Sequence, residues 1–420
     1  MAETLPPEEK QRIVRHLLSR CKPCLELVRA AVAPGNQEPD YTALLRRLEL
    51  AYVVAQNEVQ AERRIADELW PKLLSEPPES RLFIIKNVDS YRTWGMYERV
   101  VDQARTTARN DPLQGVDLAH LALAIAEQLD IEAYGQERIC DFKAGAYIVL
   151  GNAKRLAGDF AGAEAALESA KERLDKGTGD LYGRANLISI FSSLRADLGY
   201  LEDAAKILSR GIRCARRIQD RQLEGRLVLK QSSFIGFVDP ALGLDLAEKG
   251  ILLLEPDKDP HLDLVGRHLL AFWTNELGNP EEAAQILATY RYLYDRFTDV
   301  FWTGRLLHLK ANIARTEGDL RTAERFFREL VELYVENSFE LDLILASLDL
   351  AEVLASQARV AESAQILSHV YPILEAWKLH GDILRSWRIL QEGVERRSVQ
   401  ASAFRELAMI LRRRWYRRES

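Results

Sequence analysis

The stretch "AYIVLGNAKRLAGDFAGAEAALESAKERL" (residues 146–174) predicts two helices joined by a short turn. Apolar and small residues recur every three or four positions on both sides of the turn, which is the spacing of one helix face. Gly158 and Asp159 interrupt the pattern, because glycine accepts the left-handed backbone that often ends a helix. The stretch is therefore predicted to form one helix-turn-helix unit, with Leu150 in its first helix and Ala163 in its second.

The same unit recurs along the chain at an almost constant spacing. The phrases "YLEDAAKIL", "NPEEAAQIL" and "RVAESAQIL" begin at residues 200, 279 and 359. Aligned with one another and with the first unit, they place a small residue at Ala163, Ala204, Gly243, Ala283, Ala323, Ser363 and Ala403. From one to the next, the residue number rises by 41, 39, 40, 40, 40 and 40. So regular a period predicts about seven stacked units, each burying its apolar face against its neighbours.

These residues resemble the tetratricopeptide repeat (TPR), a family of stacked helix pairs. The match comprises Leu150-Gly151, Gly158-Asp159-Phe160, Ala163 and Ala170, and it recurs in "LHLKANIARTEGDLRTAERFFRELVELYVEN" (307–337). The resemblance covers about residues 144–416 and implies a right-handed α-solenoid whose groove binds a partner helix or peptide. The period near 40 is longer than the usual ~34 residues. Asn152 and Asn312 match the family's central asparagine, although the lysines of its carboxylate clamp are absent.

Four Gly-Arg pairs form a second recurrence near the start of the first helices. Their arginines are Arg184, Arg226, Arg267 and Arg305, whose residue numbers differ by 42, 41 and 38 in turn. One interpretation is structural, with glycine allowing close helix packing and arginine forming surface ion pairs. The other is an arginine ladder that grips an acidic partner segment. His268 and His308 differ in residue number by 40 and are candidates for the same groove.

The segment "VRHLLSRCKPCLELVRAA" (residues 14–31) contains His16-x4-Cys21-x2-Cys24. Imidazole and thiolate groups suit Zn²⁺, which prefers four ligands. With the preceding "PPEE" and the following "LELV", the segment resembles the zinc-binding anti-sigma factor domain of bacteria. That resemblance implies zinc bound by His16, Cys21 and Cys24, and a sigma factor as partner.

The fourth zinc ligand is not evident from the sequence. Glu8 or Glu9, a water molecule or a partner's side chain would have to supply it. Two alternatives stay open: a metal-free relic that keeps the helical shape, and a redox pair formed by the two cysteines.

Composition narrows the function classes. The chain has 420 residues with a net charge of −6, which argues against a general nucleic-acid binder. No apolar run reaches the ~18 residues that a membrane span needs, and residues 1–12 lack the features of a secretory signal. We therefore expect a cytoplasmic protein. The sequence contains no P-loop, G-x-S-x-G or H-E-x-x-H motif that would indicate catalysis.

The sequence thus predicts an all-α protein with three parts. These are an N-terminal helical domain (1–76), degenerate helical repeats (77–143) and a TPR-like array (144–420). The predicted function is that of a non-enzymatic scaffold, a bacterial regulatory protein that binds a partner helix or peptide. The alternative is a purely structural assembly module whose N-terminal segment is vestigial and metal-free.

Overall fold

The computed structural model describes residues 42–337, 339–376, 381–396 and 401–414. Within these ranges the regular structure is helical and contains no strand, which confirms the predicted all-α class. The chain divides into two compact units, unit 1 (Met1–Gly183) and unit 2 (Arg184–Ser420). The predicted zinc ligands His16, Cys21 and Cys24 lie outside the described residues.

The described part of unit 1 contains six α-helices of ten or more residues, one four-residue helix and the first turn of a seventh long helix. They are α1 (Thr42–Ser75), α2 (Pro78–Asn87), α3 (Trp94–Thr107), α4 (Pro112–Gln128), α5 (Gln136–Leu156), α6 (Phe160–Asp175) and α7 (Leu181–Asp197), with a four-residue helix at Ile131–Tyr134.

Unit 2 takes the rest of α7 and continues with helix pairs. They are α8 (Leu201–Arg217), α9 (Arg221–Ile235), α10 (Pro240–Leu253), α11 (Pro260–Glu276), α12 (Pro280–Thr289), α13 (Val300–Glu317), α14 (Leu320–Glu336), α15 (Glu340–Ser356), α16 (Val360–Ala376), α17 (Gly381–Glu395) and α18 (Ala401–Arg414), with a four-residue helix at Arg291–Tyr294. From α8 onward each helix packs against the next. We call the first helix of each pair the A helix and the second the B helix.

The turns between paired helices form as the sequence predicts. Gly158, Gly278 and Gly318 have φ values of 80°, 83° and 85°, the left-handed backbone that a glycine adopts without strain. After Gly158, the Asp159 carboxylate accepts a hydrogen bond of 2.8 Å from the Gly162 amide at the start of α6. This cap satisfies one of the amides that the first helical turn leaves unpaired. One short sequence therefore ends the A helix and begins the B helix.

The recurrent small residues occupy one position in the B helices. From Ala163 to Ser363 each is the fourth residue of its B helix, and the alanines and the serine among them are buried at 0% exposure. A larger side chain would collide with the A helix there. At Gly243 even an added Cβ would lie 2.6 Å from Gly236 Cα. The period predicted from the sequence is thus the period of helix packing.

Unit 1 has a core that includes the helix before the repeats. Trp70 and Leu73 of α1 belong to the same buried cluster as Met96 of α3 and Ile125 of α4. Arg63 Nη2 also donates a hydrogen bond of 2.8 Å to Glu98 Oε1, which ties α1 to α3. The division into two units follows from contacts between helices. The domain boundaries expected at 76 and 143 are instead inferred from a proline-rich segment and from where the repeat pattern begins. Those two boundaries stay predictions.

Candidate partner-binding site

A row of half-buried side chains joins successive A helices in unit 2. At its first end Arg226 Nη2 donates to Asn186 Oδ1 at 2.8 Å, which links α9 to α7. One turn further along α9, Lys230 Nζ donates to Ser189 Oγ at 3.0 Å. Both contacts join residues 40 or 41 positions apart, so each connects equivalent places in neighbouring repeats. This end of the row carries two cationic groups.

The middle of the row is aromatic, and its last member is acidic. The ring centroids of Phe237 and Phe272 are 6.1 Å apart, and Phe272 stacks on His308 at 6.2 Å with an interplanar angle of 20°. The Nε2–H of His308 then donates to Asp349 Oδ2 at 3.2 Å, which links α13 to α15. We call this set the A-helix row; its members are Asn186, Arg226, Lys230, Phe237, Phe272, His308 and Asp349. Every member is half-buried, so each side chain is fixed by its neighbours yet open on one side.

A buried ionic network anchors the acidic end of the row. Arg315 of α13 contacts Asp349 Oδ1 at 3.1 Å and Glu352 Oε2 at 2.8 Å, both on α15. Arg405 of α18 reaches the other oxygen of Glu352 at 3.0 Å. Arg315 Nη2 also donates to the side-chain oxygen of Asn312. Three helices are thus connected through one pair of carboxylates.

Burial and neighbouring charges shift the pKa values of this network in opposite directions. Burial alone would lower the pKa of Arg315, but the carboxylates of Asp349 and Glu352 outweigh it and raise that pKa. Burial raises the pKa of the Glu352 carboxyl, although Arg315 and Arg405 act against it. Glu352 is 2% exposed, so its charge depends on these two cations.

The predicted partner residue His268 lies in the core. It is 7% exposed, its Nδ1 is hydrogen-bonded to Tyr294 Oη at 2.8 Å, and its ring packs edge-on against Trp302. This differs from the expectation that His268 and His308 both lie on an accessible wall. The tyrosine hydroxyl and the surrounding aromatic rings enclose His268, whereas His308 keeps one open side in the A-helix row.

Burial should make His268 a source of acid sensitivity. Its pKa falls to about 3, because of burial first and then of the nearby Arg305 and His308. The unfolded chain therefore binds a proton below about pH 6.5 that the folded chain excludes. Stability should be full above that pH and should fall by about 2 kcal/mol between pH 7 and pH 5 from this residue.

Urea unfolding of His268→Gln at several pH values checks this expectation. The variant should lose most of this pH dependence, while His369→Gln, at an exposed position, should keep it. An unchanged pH slope in His268→Gln would show that other groups cause the acid sensitivity.

The four arginines of the Gly-Arg pairs do not form one row. Arg226 belongs to the A-helix row, and Arg305 is exposed and packs over the Phe301 ring at 5.1 Å. Arg267 instead donates to Asp263 of its own helix. Its guanidinium lies 4.3 Å from the ring centroid of Tyr290, the residue that follows α12. The predicted ladder is therefore not assembled on one face.

The first of the four arginines lies close to a cysteine. Arg184 is half-buried near Cys214 of α8. Burial raises the pKa of the Cys214 thiol, and the positive charge of Arg184 acts against that shift. Arg184 therefore acts on the thiol of Cys214 in α8 and is not a member of the A-helix row.

The irregular spacing of the Gly-Arg pairs explains why they diverge. One repeat of forty residues before Arg305 is position 265, which is a valine. Arg267 is therefore two positions out of phase with Arg305. Two helical residues turn a side chain by about 200°, which moves it to the opposite side of the helix. The glycines agree: an added Cβ at Gly225 would meet Leu254 of its own pair, whereas at Gly266 it would meet an isoleucine of the preceding pair.

The two predicted asparagines also differ from each other. Asn152, in unit 1, accepts hydrogen bonds from Arg155 at 3.2 and 3.0 Å. Asn312 is 2% exposed and donates to the His308 carbonyl at 2.9 Å, directly beneath the A-helix row. Asn312 therefore positions row residues and is not open to a peptide carboxylate, whereas Asn152 is half-buried and belongs to unit 1.

Sequence reasoning missed most of the row. Of its members, only Arg226 and His308 were among the candidates, because Lys230, Phe237 and Asp349 carry no motif. Their signal lies in polar or aromatic pairs that recur one repeat length apart, such as Ser189 with Lys230. Many other pairs have the same spacing, so this signal cannot be recognised until the helix faces are known.

Within the described residues, no group of three or more His, Cys, Asp or Glu side chains is placed to hold a metal ion. Among the described helices, none combines the length and apolar content that crossing a membrane requires.

Comparison with known proteins finds similarity of fold alone. No family model matches the chain, and no curated protein matches its sequence. A solved Rap protein, in complex with competence and sporulation factor, superposes with a TM-score of 0.59 at 10% identity, covering 76% of this chain and 87% of its own. Aspartyl phosphate phosphatase F from Bacillus subtilis superposes with a TM-score of 0.52 at 13% identity, covering 88% and 95% respectively. At these identities the likeness shows a shared helical repeat fold.

Proposed function

We propose that this chain is a non-enzymatic protein-interaction scaffold whose A-helix row binds a segment of a partner protein. The observation that carries the proposal is that half-buried side chains join A helices at both ends of the row, α7 to α9 and α11 through α13 to α15. Phe237, just after α9, contacts Phe272 of α11 between the two ends. Stacked helical repeats characteristically present such extended surfaces to their partners. The solved Rap protein with a similar fold was captured with a bound factor, which supports this assignment.

The order of chemistry along the row defines the segment that would fit. Arg226 and Lys230 suit a carboxylate, and Phe237, Phe272 and His308 suit an apolar or aromatic side chain. Neighbouring A helices pack about 10 Å apart, so the row from α9 to α13 is about 20 Å long. An extended peptide of about six residues spans that distance. The proposed ligand is therefore a short segment with an acidic residue followed by apolar ones.

Peptide selection from a random display library tests the proposal. Peptides that bind the intact chain should share an acidic residue followed by apolar or aromatic residues. Replacing both row cations, in Arg226→Met/Lys230→Met, should weaken a selected peptide by about a hundredfold or more, because each of the two charged hydrogen bonds contributes about 1.5–3 kcal/mol. Fluorescence anisotropy with a labelled peptide gives the affinities.

A matched control is Arg321→Met/Arg325→Met, which removes two exposed cations from the B helix α14. It should leave the affinity unchanged, and circular dichroism should show full helicity in both double variants. Equal affinity for the wild type and the row variant would contradict the proposal.

The regulatory role and the bacterial origin are part of this proposal, as is cytoplasmic location. Zinc at His16, Cys21 and Cys24 stays a prediction, as does a sigma factor as partner. Both rest on the resemblance of residues 14–31 to the anti-sigma domain.

A further inference from the structure

A second surface of unit 2 combines cations with an open apolar cleft. The B helix α8 carries Arg210, Arg213 and Arg217, which are all exposed. Their spacings of three and four residues place them on one face of the helix, over about 10 Å. Among the described residues, no ion pair joins any of these three arginines to a carboxylate. For a chain with a net charge of −6, this is a local concentration of unneutralised positive charge.

The cleft lies beside this face, between α8, α9 and α10. It has a volume of about 360 Å³, and Ile212 and Val228 form part of its floor. Leu252 at its margin is 76% exposed, so the apolar surface continues outward from the cleft. Arg216 and Lys249 lie at the rim, each paired with a carboxylate: Arg216 with Glu224 at 2.7 Å and Lys249 with Asp245 at 2.5 Å. In the described part of the chain, the unpaired cations nearest the cleft are therefore Arg213 and Arg217, which follow the cleft residues Ile212 and Arg216 in the sequence.

The cleft and the A-helix row lie on opposite sides of α9. Val228 faces the cleft, whereas Arg226 and Lys230 belong to the row. Each of those two residues is two positions from Val228, and two helical residues turn by about 200°. A segment bound in the cleft would therefore not occupy the row.

We propose that this cleft and the α8 arginines dock an acidic amphipathic helix of a partner protein. The apolar side of such a helix would cover Leu252 and the cleft floor, and its carboxylates would face Arg213 and Arg217. Charge complementarity favours this occupant, since the arginines have no carboxylates of their own among the described residues. The apolar floor favours protein over nucleic acid, because a phosphate backbone has no apolar face to place there.

Binding of a designed helix tests this proposal on the intact chain. The probe is a fluorescent peptide of about 18 residues, with leucines along one face and glutamates elsewhere. Charge reversal in Arg213→Glu/Arg217→Glu should weaken its binding roughly tenfold, and added salt should weaken binding to the wild type. Leu252→Ser should weaken binding independently of salt. Arg321→Glu/Arg325→Glu on α14 makes the same charge change elsewhere and should have no effect.

The outcomes separate this surface from the A-helix row. Arg226→Met/Lys230→Met should leave binding of the acidic helix unchanged, even if that variant loses the selected peptides. The proposal is overturned if the probe does not bind saturably or if charge reversal on α8 has no effect. It is equally overturned if short double-stranded DNA binds more tightly than the probe through the same arginines, or if a lysine-rich version of the helix binds as well.

Discussion

Replacing Arg315 by methionine should destabilise unit 2 by about 3–5 kcal/mol, because it removes the buried cation that the carboxylates of Asp349 and Glu352 share. The guanidinium lies 3.1 Å from Asp349 Oδ1 and 2.8 Å from Glu352 Oε2. Glu352 would keep only Arg405, whose side chain is largely exposed. Urea unfolding followed by circular dichroism measures the loss of free energy.

Two further variants identify the cause of that loss. Arg321→Met removes an exposed arginine from α14 and should change stability by less than about 0.5 kcal/mol. Neutralising the carboxylates in Arg315→Met/Asp349→Asn/Glu352→Gln should restore a large part of the loss, because the uncompensated charge is then gone. If the triple variant were no more stable than Arg315→Met, packing of the arginine would be its main contribution.

Replacing Trp273 by alanine should have an effect of similar size, about 3–5 kcal/mol, through loss of buried surface. Trp273 of α11 is 1% exposed and packs edge-on against Phe237, and its Nε1 donates to Ser232 Oγ at 3.0 Å. Its ring lies over two glycines: an added Cβ at Gly236 would be 2.4 Å from the ring, and one at Gly243 would be 3.2 Å away. The residue thus joins one helix pair to the next.

The matched control for Trp273→Ala is Tyr292→Ala, since that aromatic side chain is 56% exposed. It should alter the urea midpoint little. Trp273→Phe keeps most of the ring volume and loses the hydrogen bond to Ser232, so it should cost about 1–2 kcal/mol. A loss below about 1 kcal/mol in Trp273→Ala would show that the junction between α9, α10 and α11 does not depend on this ring.

The helices and their pairing could be predicted from the sequence because local chemistry determines them. Gly158 and Asp159 specify a turn wherever they meet an apolar periodic segment, and the small residue of each B helix follows from close packing. The part of the chain where the repeat pattern is degenerate is less predictable: there a short 3-10 turn at Asp89–Tyr91 precedes α3, and no sequence motif marks it.

The candidate site could be predicted only in part. To tell which face of a helix a residue lies on, one must know at which residue each helix begins relative to its neighbours. Arg267 and Arg305 each follow a glycine in the recurrent pair, yet a shift of two residues places them on different sides of their helices. His268 and His308 keep the phase of the repeat, but only His268 is enclosed, by Tyr294 and by the Trp302 ring of α13. Such enclosure depends on contacts between distant parts of the chain.

Photo-crosslinking in cells tests whether a partner protein binds along the A-helix row, because it captures whichever protein occupies the row. A benzophenone amino acid would replace Phe272 in the A-helix row, and in a control chain it would replace Phe326, on the B helix α14. We expect one discrete crosslinked protein at position 272, absent at position 326 and lost in Arg226→Met/Lys230→Met. The same crosslinked protein at both positions, or its persistence without the two row cations, would contradict binding along the A-helix row.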